Sequence, residues 1–179
     1  MVKKALRFAT IAHRGQKRKY IDIEYIKHPV ETCNLLHEYT DGDIKDEILC
    51  AALLHDVVED TNYGLDDIGS EFNPEVVSLV YELTTIKKDQ KKVGKKKYLL
   101  DKMNNMSEDA LTIKLADRLS NIGDLMAEEV PADFVKKYVE ETKFLMIQLK
   151  RTLTPLQKRL RNRITRVLLF LTLNRKIGR

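Results

Sequence analysis

The residues able to do chemistry gather first in the stretch Leu49-Cys50-Ala51-Ala52-Leu53-Leu54-His55-Asp56-Val57-Val58-Glu59-Asp60. From Ile48 to Val58 nearly every residue is apolar, which predicts a helix buried on most sides. His55 and Asp56 sit inside that run. A carboxylate there is costly to desolvate unless it is paired, hydrogen-bonded or bound to a metal. Glu59 and Asp60 follow one turn later, as i,i+4 neighbours of His55 and Asp56, so four polar groups line one edge of an apolar helix. Neutral imidazole with carboxylate is a ligand set for a divalent first-row metal. Taken alone, the stretch also reads as a buried His–Asp hydrogen bond beside an acidic helix end. The second acidic pair and partners further along favour the metal.

Those partners lie on both sides of the stretch. His28 precedes Pro29, which fits the first position of a helix, where its missing N–H costs nothing. A residue before proline is pushed towards extended geometry, so His28 is expected at a helix entrance, either aimed as a ligand or serving as a cap or surface residue. Further on, Asp117, Asn121 and Asp124 form a stripe at i, i+4 and i+7 beside the apolar Leu111, Leu115, Leu119, Ile122 and Leu125. That stripe is a solvent face or, because Lys114-Leu115-Ala116 brings Asp117 close to the apolar side, the seat of a partly buried carboxylate. His13 ends the apolar stripe of the first helix and is expected to be a hydrogen-bonding core histidine. His37 is expected on the surface near a helix C-terminus.

The elements that must position these groups are helical. In 179 residues, 43% hydrophobic and 33% charged, there are only 7 Gly and 4 Pro, too few for a strand-and-turn architecture. Helices are expected over residues 2–14, from Pro29 to about Tyr39, and centrally from about Ile44 to Val58. Others follow from Leu65 to Phe72, from Pro74 to Thr84, and up to Asn105. A helix capped by Ser107 carries the Asp117 stripe, and a long one begins at Pro131. Arg14 to Tyr20 is a basic loop. The segment from Lys87 to Lys97 holds seven lysines, read as a solvated mobile loop or as one that closes over an anion. Pro155 marks a break, dividing residues 1–154 from a basic amphipathic extension, 155–179.

Composition narrows the function classes. No apolar run reaches the ~20 residues of a membrane span, so none is expected. The N-terminal residues lack the apolar stretch of a secretory signal, and Cys33 and Cys50 suggest no disulfide framework; a cytoplasmic location is expected. The net charge is +5, and residues 151–179 hold nine Lys or Arg and no Asp or Glu. A basic balance fits an anionic ligand, whether a small phosphate ester or nucleic acid.

Four motifs in order carry a resemblance: Ala12-His13-Arg14-Gly15-Gln16, Tyr25-Ile26-Lys27-His28-Pro29, Leu54-His55-Asp56-Val57-Val58-Glu59-Asp60-Thr61 and Lys114-Leu115-Ala116-Asp117-Arg118-Leu119-Ser120-Asn121. Over roughly residues 2–150 the chain resembles the HD-superfamily hydrolase domain of the Rel/Spo alarmone enzymes, above all their stand-alone small hydrolases of the metazoan SpoT-homologue type. No sign of the alarmone synthetase domain is visible. The resemblance implies an all-α HD-domain helical bundle and one Mn²⁺ held by His28, His55, Asp56 and Asp117. It makes Glu59 and Asp60 the catalytic acidic pair that orients and activates water. It places Arg18 and Lys19 near base and phosphates, with Tyr25, Asn121 and Asp124 as further substrate contacts. Two departures stand out: the loop from Arg18 to His28 is one residue longer than in the bifunctional enzymes, and Gly123 occupies a position where the family commonly has Arg.

The implied activity is Mn²⁺-dependent removal of the 3′-pyrophosphate of (p)ppGpp, giving GDP or GTP and pyrophosphate. An adenine alarmone, the 2′-phosphate of NADPH or a nucleoside monophosphate is the alternative substrate for the same site. A different class of function, nucleic-acid binding through the basic tail with a vestigial site, is disfavoured by the complete ligand set. The tail matches no motif and is expected to be dispensable for chemistry. It is free to pack on the domain, lie on an anionic surface or join a homo-oligomer.

Overall fold

The computed structural model describes residues 1–174; the end of the predicted extension, residues 175–179, lies outside the described residues. The chain folds as a succession of helices: α1 Val2–Ala12, α2 Lys27–Tyr39, α3 Asp46–Leu54, α4 Val57–Asp60, α5 Leu65–Glu71 and α6 Pro74–Leu83. After them come α7 Lys87–Val93, α8 Lys95–Asn105, α9 Glu108–Asp124, α10 Ala132–Gln148 and α11 Pro155–Asn174. Among the described residues the sole β-pairing is an isolated bridge between Lys17 and Glu24. No helix there is long and apolar enough to cross a membrane. The all-α expectation holds.

Helix starts follow local chemistry. Asn73 accepts a hydrogen bond from the Val76 amide at 3.1 Å, and Pro74 occupies the first turn of α6. Ser107 accepts from the Ala110 amide at 3.2 Å, with Glu108 and Asp109 in the first turn of α9. Helix α9 runs through the centre, burying Leu111, Ile113, Leu115, Ala116 and Ile122 against α2, α3, α6, α10 and α11. Arg118, also buried, reaches Glu141 of α10 at 2.9 Å and Thr142 at 3.2 Å.

Three features depart from the sequence reading. The central helix is interrupted at His55 and Asp56, between α3 and α4. His55 Nδ1 hydrogen-bonds the Ala52 carbonyl at 2.8 Å, the acceptor that a continuous helix would offer the Asp56 amide. His28 lies inside the first turn of α2 rather than ahead of it, because a proline amide in that turn needs no intrahelical partner. The lysine-rich segment is helical, as α7 and the start of α8, with Gly94 at φ +85° making the corner between them. Lysine is a good helix former, and only glycine turns that corner without strain.

Of the fates open to the C-terminal extension, the described part packs on the domain. Helix α11 buries Leu160, Ile164, Val167, Leu168 and Leu171 along one side and lies against α9 and α10.

Candidate active site

His28 Nε2, His55 Nε2 and an Asp56 carboxylate oxygen lie within 4.8 Å of one another, a possible His/Asp metal site. Asp117 joins them from α9: its Oδ1 is 3.2 Å from His28 Nε2 and 3.6 Å from His55 Nε2. Asp56 Oδ2 stands 3.6 Å from His28 Nε2 and 3.1 Å from His55 Nε2. The four residues therefore converge from the first turn of α2, the α3–α4 break and the middle of α9. The break matters here, because it turns His55 and Asp56 towards one point rather than around a helix.

The outer nitrogens of both rings determine what the inner ones offer. Ser120 Oγ donates to Glu31 Oε2 at 3.0 Å, so it must accept the 2.9 Å bond from His28 Nδ1–H. The Ala52 carbonyl can only accept, so His55 Nδ1 is also the protonated nitrogen. Both Nε2 atoms then present lone pairs to two carboxylates. His55 Nε2 is buried and, despite its 3.1 Å approach to Asp56, has no hydrogen-bond partner. In the neutral rings, two lone pairs facing two carboxylates repel unless a proton or a metal ion sits among them, and two imidazoles with two carboxylates are a donor set that fits a divalent metal.

Without a metal, a proton takes the place of the cation. Burial opposes charge on His55, yet the Asp56 and Asp117 carboxylates overcome it and push the imidazole up to about 10. Burial likewise works against an ionised Asp56, but the two imidazoles hold its carboxyl below the usual carboxylate range. Asp117 is held well below that range against its burial, first by Lys114, whose Nζ is 2.7 Å from Oδ2. The site thus keeps two carboxylates ionised in a buried setting and attracts a proton or a metal in return.

Around the cluster, Tyr25 donates its hydroxyl to Asp56 Oδ2 at 2.6 Å and lies 3.3 Å from Asp60 Oδ2. Burial and the neighbouring carboxylates push the Tyr25 phenol far up, so it stays a donor. Burial, then Asp56 and Glu59, raise the Asp60 carboxyl. His13, buried as expected, hydrogen-bonds Gln16 at 2.8 Å, and Gln16 in turn donates to the Asp60 backbone carbonyl at 2.8 Å. Glu59 is not joined to the four by any hydrogen bond or ion pair among the described residues. Its Oε2 instead accepts from the Thr85 amide at 2.9 Å, and Lys87 reaches its backbone carbonyl at 3.3 Å.

Beyond Tyr25 opens a cavity of about 370 Å³ whose lining includes Arg18, Lys19, Tyr25, Asn121, Asp124 and Phe134. All five residues read as substrate contacts meet there. Arg18 is fixed by Asp124 through Nε at 2.7 Å and by Asn121 through a terminal nitrogen at 2.7 Å, with its guanidinium 5.3 Å from the Tyr25 ring centre. Lys19 Nζ lies 5.1 Å from the ring centres of both Tyr20 and Phe134. At Gly123 an added Cβ would meet nothing nearer than Glu31 Oε1 at 3.9 Å, so there is room for a Cβ there.

Sequence reasoning did not find the roles of Ser120, Glu31 and Gln16. Ser120 lies 92 residues from His28, and nothing in the chain announces that contact. Lys114 had a signal: it precedes Asp117 by three residues on the same side of α9.

Comparison with known proteins agrees with this architecture. The family model described as "HD domain" matches residues 5–149. The chain is 38% identical over 122 residues to guanosine-3′,5′-bis(diphosphate) 3′-pyrophosphohydrolase MESH1 of Drosophila melanogaster, covering 67% of this chain and 66% of that protein. To the Homo sapiens protein of the same name it is 40% identical over 120 residues, covering 66% and 65%. The aligned region thus spans just under two thirds of each of these two relatives. A solved structure of a metazoan orthologue of SpoT, which hydrolyses ppGpp and plays a role in starvation responses, superposes with a TM-score of 0.78 at 29% identity. The superposition covers 92% of this chain and 94% of the other. With two histidines and two aspartates gathered from three parts of a helical bundle, and the family model matching from residue 5 to residue 149, the chain belongs to the HD-domain family.

Proposed function

We propose that the protein is a metal-dependent phosphohydrolase that removes the 3′-pyrophosphate of (p)ppGpp, releasing GDP or GTP and pyrophosphate. The observation that carries the reading is the pair of Nε2 atoms facing Asp56 and Asp117, beside a cavity lined by Arg18, Tyr25 and Asn121. His28, His55, Asp56 and Asp117 would hold one divalent ion, Mn²⁺ in this reading. When bound, it supplies Lewis acidity to a phosphoryl oxygen and to the attacking water. In the reaction, water oxygen bonds to the phosphorus next to the ribose. The bond from that phosphorus to the 3′-oxygen breaks, and the 3′-oxygen takes a proton. Asp60, beside Tyr25 and with its carboxyl pushed up, accepts and returns protons. Glu59, steadied by the Thr85 amide, orients the water. Arg18, held flat by Asp124 and Asn121, offers a planar face to a base. Lys19 faces the phosphates.

One observation favours a neighbouring reading, in which the nucleotide is an adenine alarmone, NADPH or a nucleoside monophosphate. The Asp124 carboxylate offsets the charge of Arg18, and Gly123 contributes no cation, so the cavity holds polyphosphate less strongly than an arginine-rich one. The deciding experiment incubates Mn²⁺-loaded protein with ppGpp, an adenine analogue, NADPH and nucleoside monophosphates, and identifies products by chromatography. GDP and pyrophosphate in equal amounts from ppGpp are expected. Orthophosphate as the product, or no turnover of ppGpp at full metal content, would sink the main reading.

A further inference from the structure

Arg159, Arg163 and Arg166 stand at i, i+4 and i+7 on α11, so the three guanidinium groups share the exposed side of that helix. They line a cleft of about 490 Å³ together with Asn162, and with Glu38 and Tyr39 from the C-terminal end of α2. The guanidinium of Arg159 lies 5.4 Å from the Tyr39 ring centre. Arg18 and Arg118 each have a carboxylate partner, but among the described residues none of these three arginines has one within 4.0 Å. Glu38 is the single carboxylate among the described lining residues.

Three like charges on one helix face repel one another, and the one carboxylate of the cleft, Glu38, leaves an excess of positive charge there. The cleft's volume falls in the range of about 300–1,000 Å³ that suits small ligands. Planar guanidinium forks match phosphate oxygens two at a time, and an aromatic ring beside them accepts a base or packs on a ribose. The cleft shares no lining residue with the cavity beside Tyr25. We propose that it is a second anion site, separate from the candidate active site, that takes a group of linked phosphates, either free pyrophosphate or the polyphosphate tail of a nucleotide.

The test uses the whole chain, labelled with ¹⁵N, titrated at low ionic strength with inorganic pyrophosphate and separately with GTP. The Nε–H signals of Arg159, Arg163 and Arg166 and the Tyr39 amide signal should move together and saturate. Similar movement with both ligands assigns the site to phosphate alone, and a larger Tyr39 response to GTP adds the base. In the double variant Arg163→Glu/Arg166→Glu, the affinity read at Tyr39 should fall about tenfold or more, while signals from Lys17 to Tyr25 respond as before. Arg163→Lys/Arg166→Lys, which keeps the charge but loses the fork, should recover part of the affinity and guards against a folding effect. If the Tyr39 and guanidinium signals stay still at millimolar pyrophosphate, or move undiminished in the charge-reversed variant, the proposal fails.

Discussion

Two acids three residues apart owe their different proposed roles to the groups their carboxylates face. Asp56 faces both Nε2 atoms, whereas Glu59 turns towards the Thr85 amide. Asp56→Asn should therefore remove metal and turnover together, because an amide presents a neutral, weaker ligand to the cation. Glu59→Gln keeps an acceptor for Thr85, so metal content should stay near wild type while turnover falls about 10²–10⁴-fold. Elemental analysis beside rate measurement checks both, and equal metal loss would erase the distinction. Ser120→Ala probes the support of the site. It removes the acceptor that orients His28 Nδ1–H, and metal affinity should fall about 10–100-fold with the helical content unchanged. A metal titration with unaltered affinity would show that the ring needs no such partner. At this scale the chain was legible where residue type clashed with surroundings, as with His55 and Asp56 in an apolar run. Ser120 gave no such clash, since a serine is at home almost anywhere. Its meaning comes only from α2 and α9 lying side by side.

At the scale of the element, helix α9 presents Asp117 to the site on one side and Arg118 to α10 on the other. The Arg118–Glu141 pair is buried at both ends and is backed by Lys95, 3.0 Å from Glu141. Burial works against the Glu141 carboxylate, but Arg118 outweighs it and holds the group below its ordinary 4.5. A lowered carboxyl gives stability that is complete above the unfolded value and is lost as pH falls through the folded one. Acidification below pH 4.5 should thus unfold wild type more steeply than Glu141→Gln. At neutral pH that variant deprives buried Arg118 of its hydrogen-bonded counter-charge and should cost about 3 kcal/mol. Thermal melts across pH decide both points, and parallel acid limbs would refute the linkage. Helix starts such as Asn73–Pro74 and Ser107 were readable because caps act within a few residues. The interruption at His55 was not, since it depends on an imidazole taking the Ala52 carbonyl in a helix whose pattern stays apolar throughout. Helix α7 was misread because a lysine run has the composition of a loop and the propensity of a helix.

For the whole molecule, the open question is what the C-terminal helix does for the chemistry. Its sequence matches no catalytic motif, and among the described residues none of α11 lines the candidate site. Read from motifs alone, it is dispensable. Its packing argues otherwise. Leu160, Ile164, Val167, Leu168 and Leu171 are each less than 8% exposed, and Gln157 bonds the Glu108 carbonyl and Thr112 hydroxyl of α9. Burying such side chains is worth roughly 1.5–3 kcal/mol each. Their sum is comparable with the whole stability of a typical domain, about 5–15 kcal/mol. Removing α11 also bares the side of α9 that carries Thr112, on the helix that holds Asp117. Truncation after Lys150 should therefore give a protein that is largely unfolded or aggregated, with loss of helical signal, metal binding and turnover together. Circular dichroism and metal content measured on the same preparation provide the check. A truncated chain that melts cooperatively near the wild-type temperature and still binds metal would show that α9 and α10 close the core without it, and that the extension serves only the surface it presents.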